Sequence, residues 1–253
     1  MQKIQLFDPS IGSDNLGDEI ISRYTKSELE NLPNSTLCKA AKATQYRQNY
    51  YQYRESAKAD LRILGGSNLL NLNILIYRQL KVNLYQLAKS DDMILMGVGA
   101  WKYQQETSRV TQYFWNRLLN NEYLHSVRDE YTKFKLNQMG FKNVVNTSCQ
   151  TLWDFRHCPE IVHNERSEEV ILTLTDYNRD YVADKKLIHI LLTKYKRIIF
   201  WPQGQYDLNY LGELVDIKKN NIKILNRTLS SLTDYLQQPV DYVGTRLHAG
   251  IFA

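Results

Sequence analysis

The chain has 253 residues, 43% of them apolar and 23% charged, which is globular usage with material for one large core or two ordinary ones. Its net charge of +5 and pI of 8.9 are a mild excess spread along the chain rather than a stripe, so nucleic acid is not the expected partner, and an anionic small ligand or a basic face near anionic lipid fits at least as well. Three cysteines at irregular spacing exclude a disulfide framework and a zinc site, and no apolar run approaches the roughly 20 residues of a membrane span. Met1-Gln-Lys3 leads directly into a strand pattern with no signal peptide ahead of it, so a cytoplasmic location is expected.

Residues 3–7 read as a first strand and Asp8-Pro-Ser-Ile-Gly12 as the turn after it. A helix follows, capped by Asp14 or Asn15, with Asp18 and Glu19 as acids in its first turn and Ile20, Ile21 and Tyr24 as its buried stripe. Gly17 would let a ligand approach the backbone there, and the two carboxylates would face it as a base or hydroxyl binder. The plain alternative is an ordinary helix start. Between 44 and 58, Tyr46, Tyr50 and Tyr53 fall at helical spacing among Arg47, Arg54 and Lys58. Such a stripe stacks bases or sugars in some proteins, but the expectation is the packed face of an amphipathic helix.

A second strand over 60–64 is expected to close on Gly65-Gly66-Ser67-Asn68, a turn whose exposed amides suit phosphate or carboxylate. Residues 74–88 are amphipathic and helical in pattern. A buried parallel strand over 92–99 has Gly97 and Gly99 at its exit, and a helix over 109–119 follows. The strand over 123–129 ends on the charged pair Arg128 and Asp129. A helix over 131–139 stops at Gly140, and a short strand covers 143–147. Strand and helix thus alternate, and strand exits collect Gly, Asn, Arg and Asp, as in a doubly wound parallel sheet with a ligand edge.

Residues 156–169 are polar, hold Pro159 and lack periodicity, which marks a linker. Alternation then resumes with strands over 169–175, 197–201 and 221–225, helices over 181–194, 207–218 and 231–237, and a terminal strand into Gly244. The expected domains are 1–155 and 170–253, with the linker between them and a cleft where they meet. Directly after Gly244 stand Arg246 and His248, a fixed cation and a titratable imidazole at a strand end beside a helix start. The same spacing suits a salt bridge and an ordinary histidine equally well. Cys149 has Asp154 and His157 near it in sequence, and it is expected to be an incidental thiol.

Four stretches in this order resemble the polysaccharide pyruvyl transferase family: Asn15-Leu-Gly-Asp-Glu19, Gly65-Gly-Ser-Asn68, Ser126-Val-Arg-Asp129 and Gly244-Thr-Arg-Leu-His-Ala249. The last is the most specific, and the first is strong in combination with it. The resemblance implies an α/β fold of two Rossmann-like domains arranged as in GT-B glycosyltransferases. It also implies transfer of a pyruvyl group from phosphoenolpyruvate to sugar hydroxyls as a ketal, in cell-surface or exopolysaccharide synthesis. Relatives continue beyond the Arg-Leu-His stretch, so a second domain cut short at Ala253 is expected, and Thr147-Ser-Cys-Gln150 stands where relatives often place an aspartate.

On this resemblance Arg246, with Leu247 and the amides around it, holds the donor, and Arg128 supplies a second cation. Asn15, Gly17, Gly65, Gly66 and Asn68 complete the binding set. His248 is the acid or phosphate partner, and Asp18 or Glu19 deprotonates the acceptor hydroxyl. No metal and no cofactor is expected beyond phosphoenolpyruvate as donor substrate. The acceptor is a saccharide or lipid-linked saccharide, which allows peripheral association with the inner face of the membrane, and no pattern assigns an oligomeric state. Arg246→Ala and His248→Ala are each expected to abolish ketal formation without unfolding the protein. The competing readings are a GT-B glycosyltransferase using a sugar nucleotide and a non-catalytic glycan- or partner-binding fragment of the fold.

Overall fold

A computed structural model of the chain describes residues 1–75, 80–82, 93–104, 106–156 and 167–253. They form two compact units, one of Met1–Ser13 with Ile21–Phe155 and the other of Asp14–Ile20 with Arg156–Ala253. The expected helix over 74–88 lies largely outside the described residues. So do most of the expected linker over 156–169, with Pro159, and both His157 and Cys158.

The first unit is built on a seven-stranded, wholly parallel sheet. Its strands are β1 (Gln2–Asp8), β2 (Ser35–Leu37), β3 (Lys42–Ala43), β4 (Leu61–Leu70), β5 (Met93–Ala100), β6 (His125–Val127) and β7 (Val144–Asn146). They lie in the order β2-β1-β4-β5-β6-β7, and β3 pairs with β1 beyond β2. Side chains alternate across the pleat. Ile4, Leu6, Ile63 and Ile94 fill a core on one face, while Phe7, Leu64, Met93 and Leu95 join the larger core on the other. Helices α1 (Leu16–Glu30), α2 (Tyr50–Ser56), α3 (Arg109–Leu118) and α4 (Glu130–Gln138) connect these strands, with a 3₁₀ helix over Gln150–Arg156. The first turn of α1 groups with the second unit and the remainder with the first.

The second unit has a four-stranded parallel sheet of β8 (Glu169–Thr173), β9 (Arg197–Phe200), β10 (Lys223–Ile224) and β11 (Asp241–Gly244). Its order, β10-β9-β8-β11, is that of a Rossmann half: the chain adds β9 and β10 on one side of β8 and then crosses to place β11, also parallel, on the other. Helices α5 (Tyr181–Lys194), α6 (Asp207–Leu214), α7 (Leu229–Tyr235) and α8 (Leu247–Phe252) complete it. Val170, Leu172, Ile198, Phe200, Tyr210 and Leu211 form its core. Both units are therefore α/β with parallel sheets.

Two expectations are corrected. The sequence Gly65-Gly-Ser-Asn68 is not a turn closing a strand, because β4 runs through it to Leu70, paired with β5 from Arg62 to Leu70. The ladder takes up the irregularity instead: Ser67 adopts φ 83°, and the register shifts between Ser67 and Leu70. The tyrosine stripe is also not one helix face. Asn49 caps α2, its side chain accepting from the Gln52 amide and Gln52 returning the bond, so the helix begins after Tyr46. Tyr53 alone is buried, while Tyr46 and Tyr50 are exposed. Strands β2 and β3 have no counterpart in the sequence reading, being too short to show alternation.

Candidate functional site

The switch point of the second sheet gathers the strand exits of β8, β9 and β11. Gly244 pairs with Thr173, and the two backbones approach so closely that a Cβ at Gly244 would lie 2.2 Å from Thr173 Oγ1 and 2.5 Å from its carbonyl oxygen. The Thr245 amide donates to the Thr173 carbonyl at 3.0 Å, and Thr175 Oγ1 donates to the Thr245 carbonyl at 3.1 Å. The Tyr242 hydroxyl donates to the Arg246 carbonyl at 3.0 Å and meets Thr173 Oγ1. Burial pushes its phenol up to about 12, against the pull of Thr173 and Arg246, so it stays protonated as that donor requires.

Arg246 leaves this clasp pointing inward and is only 3% exposed. Its Nε donates to the Leu174 carbonyl and to Asp207 Oδ2, each at 3.1 Å, and its Nη2 donates to Asp176 Oδ1 at 2.9 Å and to Asp207 Oδ1. Its Nη1 is buried without a hydrogen-bond partner among the described residues. The Tyr177 ring lies over the guanidinium, 4.9 Å from ring centre to Cζ. Asp207, the first residue of α6, is wholly buried and also accepts from the amides of Gly204 (2.7 Å), Gln203 (3.1 Å) and Asp176 (3.2 Å). Gly204 leaves room for the guanidinium, since a Cβ there would fall 2.2 Å from Arg246 Nη2.

Gln203 carries the connection to the start of α1. Its Nε2 donates to Asn15 Oδ1 at 2.7 Å, its carbonyl accepts from the Leu16 amide at 3.1 Å, and its Oε1 is buried without a partner among the described residues. Asn15 Oδ1 also accepts from the Gly17 amide at 3.1 Å, which caps the helix. A Cβ at Gly17 would stand 2.7 Å from Gln203 Nε2, so this glycine serves a close side-chain approach. Asp18 is half-buried and Glu19 exposed in that first turn, while His248 is half-buried and Leu247 exposed at the start of α8.

In the first unit a second cluster forms at the carboxyl ends of β4, β5 and β6. Arg128 Nη2 donates to Asn68 Oδ1, and Nε stands 3.6 Å from Asp129 Oδ2. Gly99 leaves room for the guanidinium, since a Cβ there would fall 2.1 Å from Arg128 Nε. Gly65 and Gly66 are buried within the strand rather than presenting a turn of exposed amides. Gly66 and Gly97 make space for the wholly buried Gln150, whose Nε2 donates to the Met96 carbonyl. Asp129 caps α4 through the Thr132 amide at 2.7 Å.

Sequence reading therefore placed Asn15, Gly17 and Arg246 at residues that one unit brings together, and Asn68 and Arg128 at residues the other unit brings together. It missed Gln203, Asp207, Asp176 and Tyr177, whose only signal was their position in strand-exit loops. It also gave no role to Gln150, the last residue of the Thr147-Ser-Cys-Gln150 stretch. The net charge at Arg246 differs from the expected cationic seat, because one guanidinium meets two carboxylates. Cys149 is buried, and Thr151 Oγ1 lies 3.2 Å from its sulfur. Among the described residues no group of three or more His, Cys, Asp or Glu is placed to hold a metal ion, and no helix is long and apolar enough to cross a membrane.

A family model described as polysaccharide pyruvyl transferase matches residues 15–253. No curated protein matches the chain.

Proposed function

Because the chain belongs to the polysaccharide pyruvyl transferase family, we propose that it moves a pyruvyl group from phosphoenolpyruvate to sugar hydroxyls as a ketal. One observation carries this reading above all. The first and last of the four family stretches meet through Gln203 and Asp207: Asn15 accepts from the Gln203 side chain, and Asp207 holds both the Gln203 amide and Arg246. Residues far apart in sequence thus converge on a Rossmann switch point, the place where such sheets bind ligands. The reading keeps two Rossmann-like domains, 1–155 and 170–253, on the GT-B plan that the resemblance implies, in a cytoplasmic enzyme whose acceptor is a saccharide or a lipid-linked saccharide, the second of which would be met at the inner face of the membrane.

The chemistry asks for a proton at the donor's methylene carbon, which makes the adjacent carbon electrophilic. A sugar hydroxyl oxygen then adds there and loses its proton to a base. A second hydroxyl displaces phosphate, leaving a carbon that bears methyl, carboxylate and two sugar oxygens. We assign His248 to the acid or to the departing phosphate, and Asp18 or Glu19 to the base, each role worth about 10²–10⁴-fold. Arg246 and Arg128 are assigned to the donor's carboxylate and phosphate, both of which the planar guanidinium fork suits. Asn15, Gly17, Gly65, Gly66, Asn68 and Leu247 shape the surroundings.

The test combines binding with turnover. Phosphoenolpyruvate at 100 times its Kd should stabilise the protein by about 2.7 kcal/mol, whereas nucleotide sugars should leave the melting temperature unmoved. With a saccharide acceptor, phosphate release should accompany a new ketal methyl signal in the proton NMR spectrum, and both should vanish in His248→Ala. A shift produced only by a nucleotide sugar would assign the site to a glycosyltransferase instead.

A further inference from the structure

We propose that the Asp176 carboxylate occupies the seat on Arg246 that an anionic ligand takes, so that a ligand carboxylate or phosphate binds by displacing it. The inference rests on the reading of Arg246 as a donor-binding residue and goes beyond it. It names the group that must leave first.

The two carboxylates on Arg246 are not equivalent. Asp207 is wholly buried, holds the guanidinium through Nε and Nη2, and accepts from three backbone amides besides. It satisfies the charge of Arg246 on its own and closes the loops after β8 and β9. Asp176 is surplus to that balance. Its side chain is 14% exposed, against 0% for Asp207, and its one ion pair among the described residues is with Arg246 Nη2 at 2.9 Å. A second buried carboxylate on one cation costs desolvation that no second charge offsets, so this pair is the weaker one.

Arg246 Nη1 points the same way. It is a buried donor with no hydrogen-bond partner among the described residues. A guanidinium presents Nη1 and Nη2 as one edge of its fork, and that edge pairs with two oxygens of a carboxylate or phosphate. Asp176 uses only the Nη2 half of it. A ligand anion spanning both nitrogens would replace one bond by two and satisfy the orphan donor. Tyr177, the residue after Asp176, covers the guanidinium face while the residue as a whole is 76% exposed. Withdrawing the Asp176 side chain and this ring together would open the seat from one loop.

The experiment titrates the full chain with phosphoenolpyruvate and, separately, with inorganic phosphate by calorimetry, in wild type, Asp176→Ala, Asp176→Asn and Tyr177→Phe. Removing the competing carboxylate should tighten binding of both anions at least about tenfold in Asp176→Ala and Asp176→Asn, and Tyr177→Phe should match wild type. Should the alanine variant fail to fold, the isosteric asparagine decides alone. Phosphoenolpyruvate bound equally or more weakly by the folded Asp176 variants would overturn the exchange while leaving the donor assignment standing. Phosphate tightened by the substitutions with phosphoenolpyruvate not bound at all would support the seat and remove the donor assignment. No binding of either anion by any folded form overturns both.

Discussion

At the scale of single residues, the most consequential finding is that Arg246 is a structural latch as well as a candidate ligand group. Replacing it with alanine strands Asp207 and Asp176, and an uncompensated buried charge costs about 3–5 kcal/mol. The expectation that Arg246→Ala leaves the fold intact is therefore corrected: its urea midpoint should fall sharply, and Arg246→Lys, which keeps the charge and loses the fork, is the better probe of activity. His248→Ala, half-buried on α8, should leave the melt near wild type and remove turnover. His125, in the first unit, sets a separate pH dependence. Its Nδ1 accepts from the Leu95 amide at 3.2 Å and its Nε2 faces the Asn120 carbonyl at 2.6 Å, which fits the neutral ring. Burial holds its pKa below 6.5 although the Asn120 carbonyl pulls the other way. The unfolded chain thus takes the proton first. The histidine's contribution is complete above about pH 6.5 and declines as pH falls below it, by up to about 1.4 kcal/mol per unit. Urea melts between pH 7.5 and 5 should show this slope in wild type and a shallower one in His125→Gln.

At the scale of elements, the sequence reading located strand cores well and strand ends poorly. Apolar runs such as those of β5 and β8 announce themselves, and the α5 bounds agree because Asp180 caps the helix through the Ala183 amide at 3.0 Å. The Gly-Gly pair of β4 misled because glycine serves a turn and a tight strand crossing alike. In the fold, Gly66 and Gly97 are small because Gln150 lies on them. A Cβ at Gly66 would meet Gln150 Nε2 and Ile21 Cγ2, each at 2.6 Å, and one at Gly97 would meet Gln150 Cδ at 2.3 Å with φ already at +62°. Gly66→Ala should cost about 1–3 kcal/mol by overpacking, and adding Gln150→Ala should recover part of that loss. Additive free energies in that double-mutant cycle would show that the glutamine is not what the glycine accommodates. Asp8 does similar work at the end of β1, where Ser22 and Lys26, one turn apart on α1, each reach its Oδ2 at 2.7 Å. Burial works to raise its pKa, but Lys26, Ser22 and Ser10 together hold it below the usual carboxylate value. Its contribution is therefore present above about pH 3.9 and lost in more acid solution.

At the scale of the whole molecule, the chain is two parallel α/β units, and each puts a family stretch at the carboxyl edge of its sheet. The alternation of strand and helix, the α/β class and the family were legible in the linear pattern, because periodicity and short motifs are local properties. Strand order was not. Nothing in the residues of β11 says that it lies beside β8 rather than beyond β10, yet that choice creates the switch point and brings Gly244 against Thr173. The sequence by itself determined that a fixed cation and an imidazole would stand at a strand exit, and that a helix would open at Asp14 or Asn15 with Gly17 in its first turn. Only the tertiary structure decided who meets them: Asp207 and Asp176 on Arg246, and Gln203 on Asn15. The physical reason is that a buried guanidinium takes its partners from loops that sheet topology makes neighbours. Whether it faces a ligand or a carboxylate of its own chain is therefore settled in space and not by sequence spacing.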